Sequence, residues 1–96
     1  MYLKLWSTVA TLKQLLPLGD EIGNCWMELG LALDLSEARV FNIEVDYNCN
    51  IQRGYAVLRK WKEQHGKNAT MGRLAVALVG IGKTNIVHKL YGMCSS

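Results

Sequence analysis

No stretch of this 96-residue chain is long and apolar enough to cross a bilayer. The longest notable charge-free run, Leu74 to Gly82, has nine residues, whereas a spanning helix takes about twenty. The amino-terminal stretch MYLKLWSTVATLKQLL carries Lys4 and Lys13 inside its apolar residues and has no small-residue cleavage pattern. It therefore reads as mature sequence rather than a signal peptide, and the expected compartment is the cytoplasm. The three cysteines, Cys25, Cys49 and Cys94, are odd in number and widely spaced. No CxxC or Cys/His pair has metal-ligand spacing, so neither a metal site nor a cofactor is expected. Cys25 reads as a small apolar residue beside Trp26. The Asn68-Ala69-Thr70 glycosylation signal would be idle in a cytosolic chain. No segment alternates at period two for long enough to make a strand, and there is no repeat, linker or low-complexity run. Half of the residues are hydrophobic and a fifth are charged, which is the balance of one folded domain spanning 1–96.

Helical spacing fills the chain. Leu5, Val9, Leu12 and Leu16 recur at four, three and four, with Leu15 widening the stripe, and Pro17 and Gly19 stop this predicted first helix. Asp20 to Asn24 reads as a loop or a ragged helical start. Trp26, Leu29 and Leu33 share one face of a second helix ending near Asp34. Ser36 is a candidate N-cap for a third, about Glu37–Glu44, that brings Val40 and Ile43 onto the same core. Asn50 can cap a fourth, about Ile51–His65, with Ile51, Gly54, Leu58, Trp61 and His65 on one side and Gly66 as its C-cap. Thr70 caps a fifth with the face Leu74, Ala77, Leu78 and Ile81, which Gly80 and Gly82 break. Asn85 can cap a sixth carrying Ile86, Val87 and Leu90. Six short helices with brief loops predict an all-α antiparallel bundle, with Trp26 and Trp61 buried in it.

Catalysis finds no foothold in this pattern. Gly82-Lys83-Thr84 matches the end of a phosphate-binding loop, but Ala77 stands where the loop requires glycine and no strand precedes it. His65 stands at a helix C-terminus and His88 is alone on the last helix. Neither has a cysteine or carboxylate spaced as a dyad, so no catalytic residue is assigned.

Charge is more informative. The net value of +3 hides two ends of opposite sign. Residues 20 to 46 hold seven acids (Asp20, Glu21, Glu28, Asp34, Glu37, Glu44, Asp46) and one base, Arg39. Residues 47 to 96 hold eight bases (Arg53, Arg59, Lys60, Lys62, Lys67, Arg73, Lys83, Lys89) and one acid, Glu63.

Cys25 to Ile43, CWMELGLALDLSEARVFNI, reads from spacing alone as a helix-turn-helix packing unit. The order Trp-x-x-Leu-x-x-x-Leu-x-Leu-Ser, then Val-x-x-Ile-Glu, resembles the second and third helices of death domains. Gly54 to Thr70 resembles their pattern of leucine, two residues, tryptophan, a polar run, glycine and Ala-Thr. Leu74, Ala77-Leu78, Ile81-Gly82 and Asn85-Ile86 follow in the family's order. The likeness covers roughly residues 7 to 91 and is to the ankyrin and receptor-adaptor type. It implies a six-helix bundle with Greek-key topology, no enzymatic activity, and homotypic assembly with other death domains in apoptotic or inflammatory signalling. Four positions depart from the family pattern: Gly30 replaces the common alanine, Asp34 replaces a glycine near the end of the second helix, and Leu31 and Ala32 occupy exposed positions commonly charged.

The expected interaction residues are Glu28, Leu31, Asp34, Glu37, Glu44 and Asp46 on an acidic face of the second and third helices. Arg53, Arg59, Lys60, Lys62 and Lys67 belong to a basic face of the first and fourth. Two different complementary patches build rings or open arrays rather than two-fold dimers, so head-to-tail self-association is expected, or the same contact with related domains. Solvated helix faces would carry the same charges. Two further readings stay open: a small basic nucleic-acid-binding domain laying its fourth helix on phosphates, and a module that covers a partner's surface without assembling.

Overall fold

The computed structural model describes residues 8–95, with side chains through Leu90. Its only strand-like feature among these residues is an antiparallel bridge between Val9 and Thr70. It is held by Ala10 N–H donating to the Ala69 carbonyl at 2.8 Å and Met71 N–H to the Thr8 carbonyl at 2.9 Å.

That bridge explains where the predicted first helix departs from expectation. Val9 is extended and paired, so the helical register begins only at Thr11. Thr11 caps α1 (Leu12–Leu15) in a reciprocal capping box with Gln14. Pro17, which has no N–H to donate, separates α1 from α2 (Leu18–Glu21). The buried residues are accordingly Ala10, Leu15, Leu18 and Ile22, while Val9, Leu12 and Leu16 are exposed. Leu5 and Lys4 lie outside the described residues. Gly19 does not end a helix. It lies buried inside α2 beneath the ring of Tyr55, where an added Cβ would fall 1.9 Å from Cδ1.

A short 3₁₀ turn, Gly23–Cys25, leads into α3 (Trp26–Ala32). At its end Asp34 has φ 66. Asp34 N–H donates to the Leu31 carbonyl and Leu35 N–H to the Gly30 carbonyl, the paired bonds of a Schellman cap, normally made with glycine. Ser36 caps α4 (Glu37–Asp46), its hydroxyl accepting from Arg39 N–H. This helix runs two residues past the expected end.

The longest helix, α5 (Asn50–His65), is capped at Cys49, so Asn50 lies one residue inside it rather than at the cap. Gly54, Ala56, Val57, Leu58 and Trp61 are buried along it, whereas Ile51 is exposed and His65 is half-buried. Gly66, at φ 55, ends the helix. Thr70 caps α6 (Met71–Gly80), accepting from Arg73 N–H. Gly80 is the last residue of this helix rather than its break. Gly82, at φ 80, closes a second Schellman turn in which Lys83 N–H reaches the Leu78 carbonyl. The last helix, α7 (Thr84–Ser95), buries Ile86 and Leu90, and Asn85 is inside it.

Seven α-helices are therefore described where six were expected, because Pro17 divides the first block. The core runs through all of them and includes both predicted tryptophans, Trp26 at 6% exposure and Trp61 at 1%. α5 is the central rod against which α1 to α4 pack, while α6 packs on α3 and α7. No polar side chain among the described residues is buried without a hydrogen-bond partner.

Candidate protein-interaction surface

Helix α4 turns Val40 and Ile43 to the core. At about 100° per residue, its opposite side must carry Ala38, Phe41 and Val45, with Glu37 and Glu44 along one flank and Arg39 and Asp46 along the other. Phe41 is 62% exposed and Val45 63%. Two large apolar side chains one turn apart thus form an outward ridge bordered by carboxylates. Glu28 on α3 and Asp34 after it are exposed as well, and Leu31 is 47% exposed. The acidic residues expected to form this face are therefore all exposed, and Phe41 and Val45 stand as apolar side chains among them.

The basic residues are more dispersed. Arg59 points outward on α5 and Lys67 is exposed in the 3₁₀ turn Gly66–Asn68. Lys60 and Lys62 are half-buried and lie on opposite flanks of α5, roughly 200° apart around the helix. Lys13 on α1 is exposed.

Arg53 is engaged inside its own domain. Its Nε donates to the Tyr47 carbonyl at 3.0 Å and one terminal nitrogen to the Glu44 carbonyl at 3.0 Å, the last acceptors of α4. The guanidinium also lies 5.5 Å from the centre of the Trp26 ring. It satisfies carbonyls that the end of α4 leaves open and places a cation at the negative end of that helix. Arg53 therefore ties α3, α4 and α5 together, and its charge is committed to that joint. A second tie links α5 to the Schellman turn, where Gln64 donates to the Asp34 carbonyl at 3.1 Å. Lys89 pairs with Glu21 between α7 and α2.

An open apolar groove of about 760 Å³ lies where the ends of α3 and α5 meet α6 and α7. Ala32, Leu33, Trp61, Val76, Val79 and Val87 line it, with Asp34, His65 and Arg73 at polar positions. Sequence reading missed it because its walls come from four helices. The signal present was the exposed pair Val76 and Val79 on α6, 74% and 55% exposed. Burial raises the Cys25 thiol above its ordinary 9.0, with Glu28 adding to the rise and Lys83 opposing it. Among the described residues no helix is long and apolar enough to span a membrane, and no group of three His, Cys, Asp or Glu could hold a metal.

A small helical bundle held by caps and a tryptophan core, displaying apolar ridges among segregated charges, is the architecture of a docking module. The death domain family model matches residues 10–94, and the chain belongs to that family of non-enzymatic protein–protein interaction domains, with its death-fold helical bundle. Ankyrin-3 of Mus musculus is 35% identical over 74 residues, 76% of this chain. Receptor-interacting serine/threonine-protein kinase 1 of Homo sapiens is 29% identical over 87 residues, 88% of this chain. Ankyrin-1 of Mus musculus is 32% identical over 74 residues. The alignments cover 4%, 13% and 4% of those three proteins respectively.

Proposed function

We propose that the chain mediates homotypic assembly between death domains in cytoplasmic signal transduction of the apoptotic or inflammatory kind. It would bind other death domains, or further copies of itself, by pressing an acidic face against a basic one. The observation that supports this is the apolar ridge of α4 set among exposed Glu37, Glu44 and Asp46, on a chain whose second half carries the opposite charge. The acidic face is formed by Glu28, Leu31, Asp34, Glu37, Glu44 and Asp46. The basic contacts fall to Arg59, Lys60, Lys62 and Lys67, which are spread around α5 and the turn after it rather than gathered on one strip. Arg53, the fifth basic residue expected there, holds the end of α4 through the Tyr47 and Glu44 carbonyls. Likeness to a receptor-interacting kinase over most of the chain favours a signalling role.

A single exposed ion pair contributes only ~0–1 kcal/mol, so several pairs and an apolar centre must act together. Association should weaken as salt rises, because screening shortens the reach of exposed charges. The test is capture of death-domain partners by wild-type protein and by the double variant Arg59→Glu/Lys60→Glu, at low and physiological ionic strength. Loss of capture in the variant and weakening with salt are expected. Equal capture by both proteins would remove the basic face from the reading. Retention of duplex DNA on filters at sub-micromolar protein, without capture of any death domain, would replace it with nucleic-acid binding.

A further inference from the structure

We propose that the ridge of α4, Phe41 and Val45, docks into the groove between α3, α5, α6 and α7 of a second copy of this chain. The inference rests on the assembly reading above and identifies the apolar contact at its centre. Phe41 and Val45 are among the most exposed large apolar side chains of the described residues, as is Val76 in the groove. Apolar surface concentrated in this way marks an interaction site. Neither Phe41 nor Val45 lines the groove of its own molecule, so each protomer presents the two surfaces separately.

Charge selects the occupant. Glu37 and Glu44 flank the ridge, while the groove carries Arg73, and Lys62 lies one turn before the groove-lining His65 on the same flank of α5. Asp34 is the groove's one acid, and Arg39, which shares the other flank of the ridge with Asp46, supplies its opposite charge. The groove's volume of about 760 Å³ lies within the range that proteins use to enclose small apolar bodies, roughly 300–1,000 Å³. A phenylalanine with one valine beside it is such a body. Ridge and groove are different surfaces, so the contact is heterologous and propagates from copy to copy until a ring closes or the supply of copies ends.

The experiment uses two half-blocked proteins. Phe41→Asp spoils the ridge and leaves the groove intact. Val76→Glu spoils the groove and leaves the ridge intact. Both side chains are exposed, and circular dichroism with thermal melts checks that each variant folds like wild type. Sedimentation velocity over a concentration series should show wild-type assemblies growing with concentration. Each variant alone should associate at least about ten-fold more weakly, as loss of an aromatic anchor does. Mixing the two variants should produce a dimer that grows no further, because one functional ridge meets one functional groove. Val45→Glu should behave as Phe41→Asp does. The docking is overturned if the mixture stays monomeric, if either variant assembles like wild type, or if wild-type protein stays monomeric at every concentration. In each of those cases capture of other death domains by wild-type protein would leave the assembly reading standing.

Discussion

Replacing Arg53 should damage the fold rather than the surface. Its guanidinium makes two 3.0 Å bonds to the closing carbonyls of α4 and faces the Trp26 ring at 5.5 Å. Hydrogen bonds from charged donors contribute about 1.5–3 kcal/mol when buried. This side chain is half-buried, so about 1 kcal/mol each is a fair allowance, with about 0.5 kcal/mol more from the ring. Arg53→Ala should therefore lose about 2–3 kcal/mol. At about 4–8 °C per kcal/mol for a domain of this size, Tm falls by about 10–20 °C. Arg59→Ala, on the outward side of the same helix, should change stability by no more than about 0.5 kcal/mol. Arg53→Lys keeps the charge but has no planar fork to reach both carbonyls, so it should recover less than half of the loss. Urea unfolding followed by circular dichroism measures all three. Equal midpoints for Arg53→Ala and Arg59→Ala, or full recovery by lysine, would refute the reasoning. The result matters for any interface experiment, because a charge reversal at Arg53 would loosen α4 as well as change the surface.

Gly54→Ala and Gly30→Ala should move in opposite directions, although both gain about 1 kcal/mol of helix propensity. A Cβ at Gly54 would lie 2.6 Å from the Gly19 carbonyl oxygen, which belongs to backbone, so overpacking of about 1–3 kcal/mol wins and the variant melts lower. At Gly30 the nearest atom is Val40 Cγ2 at 3.3 Å, which can shift, and a net gain of about 0.5 kcal/mol is expected in the same melts. Asp34→Gly should raise stability by about 1 kcal/mol, since it relieves a left-handed non-glycine residue at φ 66 and removes an acid from the negative end of α3. A lower urea midpoint would contradict that account. For Cys25 the folded pKa lies above the ordinary 9.0. Its contribution is thus complete below pH 9 and is lost as pH rises toward the folded value, because the unfolded thiol ionises first. Stability should fall more steeply above pH 9 than in Cys25→Ala, and a thiol reagent at pH 8 should modify exposed Cys49 well before buried Cys25.

Local rules made much of this domain readable. Ser36 and Thr70 are caps, Gly66 ends its helix, and Trp26, Leu29, Leu58 and Trp61 are buried, all as the sequence pattern predicted. The first block was misread because its register is set from a distance. Val9 is taken by Thr70, sixty-one residues later in the numbering, so the stripe of Val9, Leu12 and Leu16 never becomes a buried face. The task of Arg53 was hidden for a related reason, since its acceptors are carbonyls six and nine residues earlier in the chain. The surface charges were visible as types, but helical geometry alone divides Lys60 from Lys62. The groove needed four helices in place before it existed at all.

The pairing of Val9 and Ala10 with residues 69–71 also sets a timetable. A nascent chain emerging at roughly 5–20 residues per second must wait several seconds after residue 10 appears before Met71 follows it. Until α5 is complete at His65, and the far end of the bridge after it, Leu15, Leu18 and Ile22 lack the elements that cover them. Within the described residues, α1 and α2 are thus made before the elements that cover them and are among the last that can settle.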